Sequence, residues 1–581
     1  MRVRFCLAFI LMIVLTIVFC RQDLRAAEPA GKYRVADLRA ETNGADYLVI
    51  APAAFEAALQ PLLDYRASEG FRVAFVSSED VVSEYEMFAS GSEQFRNFVS
   101  FAYYHWARPA PKYLVIAADA PPQGATSTEP LQIPTGLMNT IYEYSDTPKD
   151  KSKNADKNAK RPQELIATDG VYADMDGDGL PDIAVGRLPA DNDAELSSMI
   201  RKILSYEKNP PSGLWKRRIT LFASEGNFGS IDQLLEKMFK AMVRNNINPM
   251  YDLNMTYANP SMPYFFVPDR FNEKIIERLN EGSLIANYVG HGLTDVLDDV
   301  HWNNKRYPIM RSSDVSKLDM GGRSPFLLII ACLTGNYDAV GRDSISELIM
   351  KNEKGPVGVI SASVVSQPTC NGIISKEFAD AIFMHRTPRI GDAFDTSRRG
   401  IFDGKKDEDR KLIDKFANTL YKRPEVIRHN REAVYMYNLL GDPATRIAYV
   451  AGNVAVSAPE MSTAGETVSI SGKTEGVSDG EAIVSLDCFP TNVIHPIKPI
   501  KSLAGDELYK TIEQNYANAN NKTAWTGTAK ISGGEFKIDI PIPAWLPKMI
   551  YYVKVYAVGN GKDAAGSAEM KINAGAEVPA K

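Results

Sequence analysis

Two patterns of hydrophobic and polar positions follow one another along the chain. In the first, short apolar runs alternate with stretches in which apolar residues recur at helical spacing. Residues 47–50 and 113–117 are typical of strands that are buried on both faces, and residues 54–68 have the period of a helix. This alternation predicts a mostly parallel sheet with helices on both faces.

The pattern restarts once and then changes. After residues 209–213, which are rich in Pro and Gly, a second alternation begins, with predicted strands at 218–223, 283–289, 326–331 and 357–361. Beyond residue 451, short alternating runs separated by Gly and Ser turns predict a small all-β sandwich. The predicted fold class is therefore α/β, followed by an Ig-like β-sandwich. The predicted domains are an N-terminal α/β subdomain at 46–210, a second α/β subdomain at 214–448, and the sandwich at 452–577.

The N-terminus has the order of a secretory signal peptide. Two arginines precede an apolar run at residues 5–20, and small residues lead to a predicted cleavage point after Ala27. We predict that residues 1–27 are removed and that residues 28–45 form a short linker or pro-segment. The mature protein is then expected to be secreted, periplasmic or on the cell surface, with no stable membrane span.

Charge and cysteine usage narrow the function further. The chain has 66 basic and 72 acidic residues spread along its length, a balance that excludes a nucleic-acid partner. Three cysteines remain after the predicted signal peptide: Cys332, Cys370 and Cys488. Three scattered cysteines do not form a disulfide framework, and an odd thiol in an oxidising compartment indicates a reactive cysteine.

Two of the predicted strands end abruptly in a chemically reactive residue. Residues 284–290 lead into His291 and Gly292, and residues 326–331 lead into Cys332. Because sites in parallel sheets form at the carboxyl ends of strands, these side chains are expected to converge. A thiolate is a strong nucleophile near neutral pH, and an imidazole can supply or remove the proton that the reaction needs. The backbone amides of Gly292 and Cys332 are candidates for stabilising an oxyanion.

Each of these residues alone also fits a structural role. A cysteine after an apolar run usually packs in the core, and a single histidine after a strand usually makes a structural hydrogen bond. The pairing of His291 and Cys332 at two strand ends is what favours catalysis. Cys370, in a loop after the strand at 357–361, is interpreted as incidental.

These segments resemble the gingipain family of cysteine peptidases, whose fold is similar to that of the caspases. The resemblance covers most of residues 47–447 and rests on three main motifs with two supporting ones: 286–292, 331–336, 439–443, 182–187 and 223–226. It implies a caspase-like fold of two subdomains. It also implies that protein or peptide substrates are hydrolysed by a Cys–His dyad through a thioester acyl-enzyme, with no cofactor required for catalysis.

The resemblance also implies roles for individual residues. The acidic residue that accompanies the histidine falls on Glu225, which would orient His291; the alternative is a charge at the N-terminus of a helix. Gingipain-like enzymes cleave after Arg or Lys, using an acidic pocket residue and an aromatic lid. The corresponding substrate-binding positions are Asp232 or Asp338 for the acid, and Pro368 or Thr369 for the lid. Because no aromatic residue stands at the lid position, cleavage after basic residues is not predicted.

A separate acidic loop suggests a metal site. Carboxylates occupy its positions 1, 3, 5 and 9, with glycine at position 6: Asp174, Asp176, Asp178 and Asp182. This pattern suits a cation that prefers oxygen ligands, such as Ca²⁺. Position 12 is Val185 rather than the Glu of an EF-hand, so the prediction is a structural calcium outside that class. An Asp- and Gly-rich turn without metal explains the same residues.

Three functions remain open at this point. The leading prediction is a secreted cysteine endopeptidase. The alternatives are a non-catalytic surface or binding protein on the same scaffold, and a transpeptidase that uses the same dyad to transfer the acyl group to an amine. The presence of both His291 and Cys332 favours an enzyme, whereas nothing in the sequence indicates an oligomeric state.

Overall fold

The computed structural model describes residues 31–125, 129–139, 165–225 and 240–575. The predicted signal peptide at 1–27 and the predicted substrate-binding residue Asp232 lie outside these ranges. Within the described part of the chain, no helix is both long and apolar enough to cross a membrane.

Most strands of the described chain belong to two large sheets. The strands are β1 Tyr47–Ala51, β2 Val73–Ser77, β3 Tyr113–Ala117, β4 Gly136–Asn139, β5 Leu165–Thr168, β6 Ala184–Leu188, β7 Arg218–Ala223, β8 Asp252–Tyr257, β9 Ile285–Val289, β10 Gly292–Leu293, β11 Val296–Trp302, β12 Lys305–Arg311, β13 Phe326–Ile330, β14 Gly358–Ala362, β15 Tyr437–Leu440, β16 Gly452–Ser457, β17 Met461–Thr463, β18 Thr467–Thr474, β19 Gly480–Cys488, β20 Thr523–Ile531, β21 Glu535–Pro541, β22 Met549–Gly559 and β23 Lys562–Asn573.

Helices connect most strands of the first sheet. They are α1 Glu56–Ser68, α2 Ser78–Tyr85, α3 Ser92–His105, α4 Asp193–Lys208, α5 Phe271–Asn280, α6 Ile345–Lys351, α7 Pro368–Ala379, α8 Ile390–Asp403, α9 Glu408–Leu420, α10 Arg423–Met436 and α11 Gly505–Asn520. Residues 240–246 are also helical. Several helices begin at side-chain caps of the expected kind, such as Asn192 before α4 and Ser344 before α6.

The first sheet has ten strands in the order β2-β1-β3-β6-β15-β14-β13-β9-β7-β8. β1, β3 and β13 are apolar along their length and buried at every position, as expected for strands covered on both faces. Most neighbours pair in parallel, and β15 is antiparallel to β14. The predicted fold class, a mostly parallel α/β sheet with helices on both faces, is confirmed.

The two predicted α/β subdomains share this one sheet and one hydrophobic core. β15 joins them, and the sequence pattern did not predict it as a strand. It has four residues and directly follows α10, so its apolar run is too short to be distinguished from the end of a helix.

The second large sheet has eight strands, begins at β16 and occupies the region for which a C-terminal β-sandwich was predicted. β18 alternates exposed and buried positions, and the sheet has a core of its own. The prediction of an all-β unit was incomplete, because α11 lies between β19 and β20. Leu508, Ile512 and Tyr516 recur at i, i+4 and i+8 on this helix, which is a helical period inside a region dominated by strand alternation.

α11 attaches the sandwich to the first sheet beside β8. The hydroxyl groups of Tyr516 and Thr256 lie 2.8 Å apart in a buried contact. Two charge pairs continue the interface: a buried one, with 2.8 Å from Lys216 Nζ to Asp563 Oδ2, and a partly buried one, with 2.9 Å from Lys554 Nζ to Asp252 Oδ1. The sandwich therefore lies against the half of the sheet that carries His291 and Cys332.

Candidate active site

Strand register brings the predicted catalytic residues to one level of the sheet. Val289 of β9 pairs with Ile330 of β13 on one side and with Ala223 of β7 on the other. The residues that follow these three by two positions are His291, Cys332 and Glu225. All three therefore leave adjacent parallel strands at the same carboxyl edge.

A tight turn ends β13 at Cys332. Gly290 N donates a hydrogen bond to Ile330 O at 3.1 Å, and Leu333 N donates one to Val364 O at 3.1 Å. Leu333 has φ of +58°, a left-handed conformation that is unfavourable for a residue with a branched side chain. Such backbone strain persists only where the surrounding structure holds it, so the position of Cys332 is fixed by its neighbours.

The Cys332 sulfur accepts a backbone hydrogen bond. Ser366 N donates to Cys332 Sγ at 3.4 Å, and Ser366 Oγ lies 4.0 Å from the same sulfur. Asn371 Nδ2 in turn donates to Ser366 Oγ at 2.9 Å, and Tyr437 Oη donates to Asn371 Oδ1 at 2.8 Å. This series of contacts holds the Cys332 sulfur against the segment that follows β14.

Ser366 was not among the predicted site residues, although a signal for it existed. It follows β14, which pairs with β13, so the argument that brought His291 and Cys332 together applies equally to it. The residue type alone does not indicate a functional role, because serine is a common turn residue after strands.

The backbone of His291 is held on both sides. His291 N donates to Ser224 Oγ at 3.2 Å, and His291 O accepts from Tyr288 Oη at 2.8 Å. Ser224 directly precedes Glu225, so the segment that carries Glu225 is tied to the segment that carries His291.

The glycines on either side of His291 allow this close approach. A Cβ atom on Gly290 would lie 2.2 Å from Ser224 Oγ. A Cβ atom on Gly292 would lie 2.5 Å from Thr334 Cγ2 and 3.1 Å from Cys332 O. Any larger residue would separate the strand ends, so glycine is required where the backbones of Gly292 and Cys332 meet.

The three described thiols differ sharply in their surroundings. Cys332 is partly exposed, whereas Cys370 and Cys488 are buried. Burial raises the pKa of Cys370 to about 12 and that of Cys488 to about 11, because an apolar environment disfavours the thiolate. Of these thiols, Cys332 is the one whose environment suits a nucleophile.

A cleft with a volume of about 460 Å³ opens beside Cys332 and His291. Its floor is formed by the ends of β7, β8 and β9, and its far wall by α7 and α9. Thr491, from the C-terminal sandwich, also lines it.

Two predicted substrate-binding residues lie away from this cleft. Asp338 is buried and does not line it, and burial raises the pKa of its carboxyl group to about 6. Thr369 is 1% exposed and is likewise absent from the lining, although its neighbour Pro368 contributes to it. Of the two residues considered for the lid position, Pro368 therefore lines the cleft and Thr369 does not.

The acidic loop gathers three of its four predicted ligands. Carboxylate oxygens of Asp174, Asp176 and Asp182 lie within 4.8 Å of one another. Asp174 is buried and also accepts a hydrogen bond from Tyr435 Oη at 2.9 Å. Asp178 is exposed and lies outside this group of three, and it accepts a hydrogen bond from Leu180 N at 2.7 Å. The three gathered carboxylates are the ones that could share a cation.

Comparison with known proteins agrees with this geometry. The family model of peptidase family C25 matches residues 40–448. Gingipain R1 from Porphyromonas gingivalis is 23% identical over 395 residues, which cover 65% of this chain and 37% of the relative. Lys-gingipain from the same organism is 23% identical over 324 residues, covering 54% of this chain and 15% of the relative. This chain thus matches well under half the length of these relatives.

A solved structure supports the fold. The crystal structure of the Arg specific cysteine proteinase gingipain R aligns with a TM-score of 0.50 and 16% identity, covering 93% of this chain and all of the other. The family match spans both α/β subdomains and includes Glu225, His291 and Cys332. The chain therefore belongs to peptidase family C25, the family of cysteine endopeptidases whose motifs its sequence resembles.

Proposed function

We propose that this protein hydrolyses peptide bonds in protein or peptide substrates, with Cys332 as nucleophile and His291 as its acid–base partner. One observation carries the proposal: His291 and Cys332 follow adjacent parallel strands at the same level of the sheet, and the Cys332 thiol is partly exposed. The Cys332 thiolate attacks the scissile carbonyl carbon, and a thioester forms as the C–N bond breaks. His291 passes a proton to the departing amine. Water then cleaves the thioester, giving a carboxylic acid and regenerating the thiol.

Two further groups assist this reaction in the proposal. The backbone amides of Gly292 and Cys332 would stabilise the tetrahedral oxyanion, since these two backbones meet closely. Glu225 would orient the imidazole and stabilise its protonated form; support comes from its position two residues after β7, the strand that pairs with the one leading to His291. None of these steps needs a bound cofactor, because the thiolate itself supplies the nucleophile.

A covalent probe tests the assignment directly. A peptidyl acyloxymethyl ketone should alkylate Cys332, and mass spectrometry of the digested protein would locate the label. The variant His291→Ala should label much more slowly, because the thiolate loses its acid–base partner. Cys370→Ala is the control and should label like the wild type. Labelling on Cys370, or none on a folded protein, would contradict the proposal and favour a non-catalytic binding protein.

We further propose that the protein is exported and has three folded parts. The basic–apolar–small order of residues 1–27 supports removal of a signal peptide and a secreted, periplasmic or cell-surface location. The separate core of the last sheet supports a C-terminal Ig-like unit at 452–577. The subdomains at 46–210 and 214–448 would act as one body, because they share a continuous sheet.

The acidic loop is proposed to hold a structural Ca²⁺. Support comes from three carboxylates gathered within 4.8 Å, Asp174, Asp176 and Asp182, one of them buried. Chelation should then lower the melting temperature, because a ligand that binds only the native state stabilises it. Asp176→Asn should remove that dependence, whereas Asp193→Asn at the start of α4 should keep it. A melting temperature indifferent to both chelator and added Ca²⁺ would identify the loop as an Asp- and Gly-rich turn.

A further inference from the structure

The C-terminal unit, residues 452–573, contributes a residue to the cleft beside Cys332. Thr491 lies in the turn that follows β19 and is partly exposed. It lines the same cleft as Met255 of β8 and Tyr264, which belongs to the segment after β8. The cleft therefore lies between the catalytic sheet and the C-terminal unit rather than within the sheet alone.

Asn520, the last residue of α11, binds the backbone of the cleft wall. Its side-chain Oδ1 accepts a hydrogen bond from Met255 N at 2.8 Å, and its Nδ2 donates one to Met255 O at 3.0 Å. β8 is an edge strand of the ten-stranded sheet, and the Asn520 amide offers it the acceptor and the donor that a neighbouring strand would offer. The C-terminal unit thus fixes the backbone of Met255 directly.

A buried lysine joins the cleft wall to the turn that carries Thr491. Lys522 is 7% exposed, and its Nζ donates to Tyr264 Oη at 2.9 Å and to Asn492 O at 2.7 Å. A third hydrogen bond, 2.5 Å long, goes to Ala519 O in α11. An ammonium group has three hydrogens, so each of them has an acceptor here. Because hydrogen bonds from a charged donor are strong, Lys522 holds Tyr264 and the turn in a fixed relation.

Tyr264 carries this connection back to the catalytic sheet. Tyr264 is buried, and its backbone O accepts a hydrogen bond from Tyr257 N at the end of β8, at 3.0 Å. Burial lowers the pKa of Lys522 to about 8, because an apolar environment disfavours the charged form, yet the ammonium still predominates at neutral pH. The connection from the Thr491 turn to β8 is therefore complete at neutral pH.

We propose that the C-terminal unit forms part of the substrate-binding site: Thr491 contacts an extended polypeptide bound in the cleft, and Lys522 and Asn520 are positioning residues for that side of the cleft. This inference rests on the proposed peptidase function. The substrate class is an unfolded polypeptide segment, because about ten extended residues span about 33 Å and can contact the nucleophile and the C-terminal unit together. The cleft volume of about 460 Å³ gives room for several side chains of such a segment.

The test uses a fluorescence-quenched peptide of about ten residues, whose sequence is a site that the full-length wild type cleaves in denatured casein. Thr491→Trp should raise KM for this peptide about 10-fold or more and leave kcat within about twofold, because it obstructs binding without touching the reacting atoms. Lys522→Met should raise KM about 3–10-fold by releasing the turn and Tyr264. The matched controls, Thr528→Trp and Lys530→Met at exposed positions of β20, should keep the wild-type KM.

Alkylation of Cys332 separates failure of this inference from failure of the proposed function. Iodoacetamide carries no peptide, so its rate of reaction with Cys332 reports the nucleophile alone and should be the same in the wild type and the variants. A wild-type KM in Thr491→Trp would overturn the role of the C-terminal unit while leaving the peptidase intact. A folded wild type that cleaves no site in casein and whose Cys332 resists iodoacetamide would overturn both. If Lys522→Met fails to fold, Thr491→Trp, a change in a partly exposed turn, still decides.

Discussion

The central sheet carries two groups of polar residues at strand ends, and they differ in what their side chains contact. At the end of β6, the Arg187 guanidinium is fully buried and forms two hydrogen bonds to Asp169, each 2.7 Å long. Its remaining nitrogen donates to Ala118 O and Ile133 O at 3.0 and 3.1 Å. At the ends of β9 and β13, the backbones of His291 and Cys332 are fixed just as firmly, but both side chains face a cleft.

This difference shows that polar residues beside the same sheet can serve either structure or chemistry. Parallel strands bring His291 and Cys332 together at their carboxyl ends, whereas Asp169 reaches Arg187 from the turn after β5, a strand of the separate two-stranded sheet. Arg187 and Asp169 use their hydrogen-bonding groups on each other, so this pair stabilises the fold. At His291 and Cys332 the backbone is hydrogen-bonded but the side chains remain accessible from the cleft, as a chemical role would require. The separation of these two roles can be tested by substitution.

The largest expected effect is the loss of turnover in Cys332→Ala. Removing the nucleophile should lower kcat/KM by at least about 10⁴-fold, since removal of a covalent catalyst leaves only binding and oxyanion stabilisation. Cys370→Ala should retain nearly full activity, because the Cys370 thiol is buried and its pKa is raised. Both variants should melt close to the wild type. Unchanged turnover in Cys332→Ala would mean that the His291 and Cys332 pair, like the Arg187 and Asp169 pair, has no catalytic role.

The next largest effect should fall on stability at the other group. Arg187→Met leaves Asp169 buried without its charged partner, which should cost about 3–5 kcal/mol of unfolding free energy. Activity per folded molecule should persist, because Arg187 does not line the cleft. Urea unfolding with active-site titration measures both quantities. The control is Arg201→Met, whose partner Glu353 is exposed and 2.9 Å away, with an expected loss of at most about 1 kcal/mol. Equal losses of unfolding free energy in the two variants would contradict a stabilising role for the buried Arg187–Asp169 pair.

The sequence predicted the positions of His291 and Cys332 better than the contacts of Arg187, for a physical reason. His291 and Cys332 directly follow long apolar runs, so their place at the sheet edge could be inferred from strand pattern alone. The partners of Arg187 come from a turn after β5 and from loops distant in sequence, and no local period indicates which will meet.

The residues that line the cleft could not be predicted from local sequence pattern either. The family resemblance suggested Asp338 and Thr369 as substrate contacts, yet both are buried away from the lining. Its walls come instead from β8, α9 and a residue of the C-terminal sandwich, Thr491, far apart in the chain. Short motifs identify strand ends, whereas the shape between them depends on tertiary packing.

A smaller, kinetic effect is expected from Glu225→Gln. This change keeps the shape and removes the charge, so kcat should fall about 10–10³-fold while the fold survives. A carboxylate beside an imidazole stabilises its protonated form, so the acidic limb of the pH–rate profile should change as well. The control is Glu93→Gln in the first turn of α3, a helix N-terminal charge away from the site. If Glu225→Gln behaves like that control, losing about 1 kcal/mol of stability or less with normal kinetics, its role is only to stabilise a helix.

The smallest effect concerns Asp338, which is buried like Arg187 but has no charged partner among the residues that the structure describes. Burial raises the pKa of its carboxyl group from 3.8 to about 6. The folded state therefore binds this proton more tightly than the unfolded state does, so the contribution is fully present below about pH 4 and is lost as pH rises through 6. Asp338→Asn resembles the neutral acid at every pH. It should have little effect on unfolding free energy at pH 4 and should add up to about 3 kcal/mol at pH 8. Urea unfolding at both pH values measures this difference, and kcat/KM for a cleaved tetrapeptide should stay at the wild-type value. A constant difference across pH would mean that the carboxyl group titrates normally, and a raised KM would return Asp338 to the substrate site.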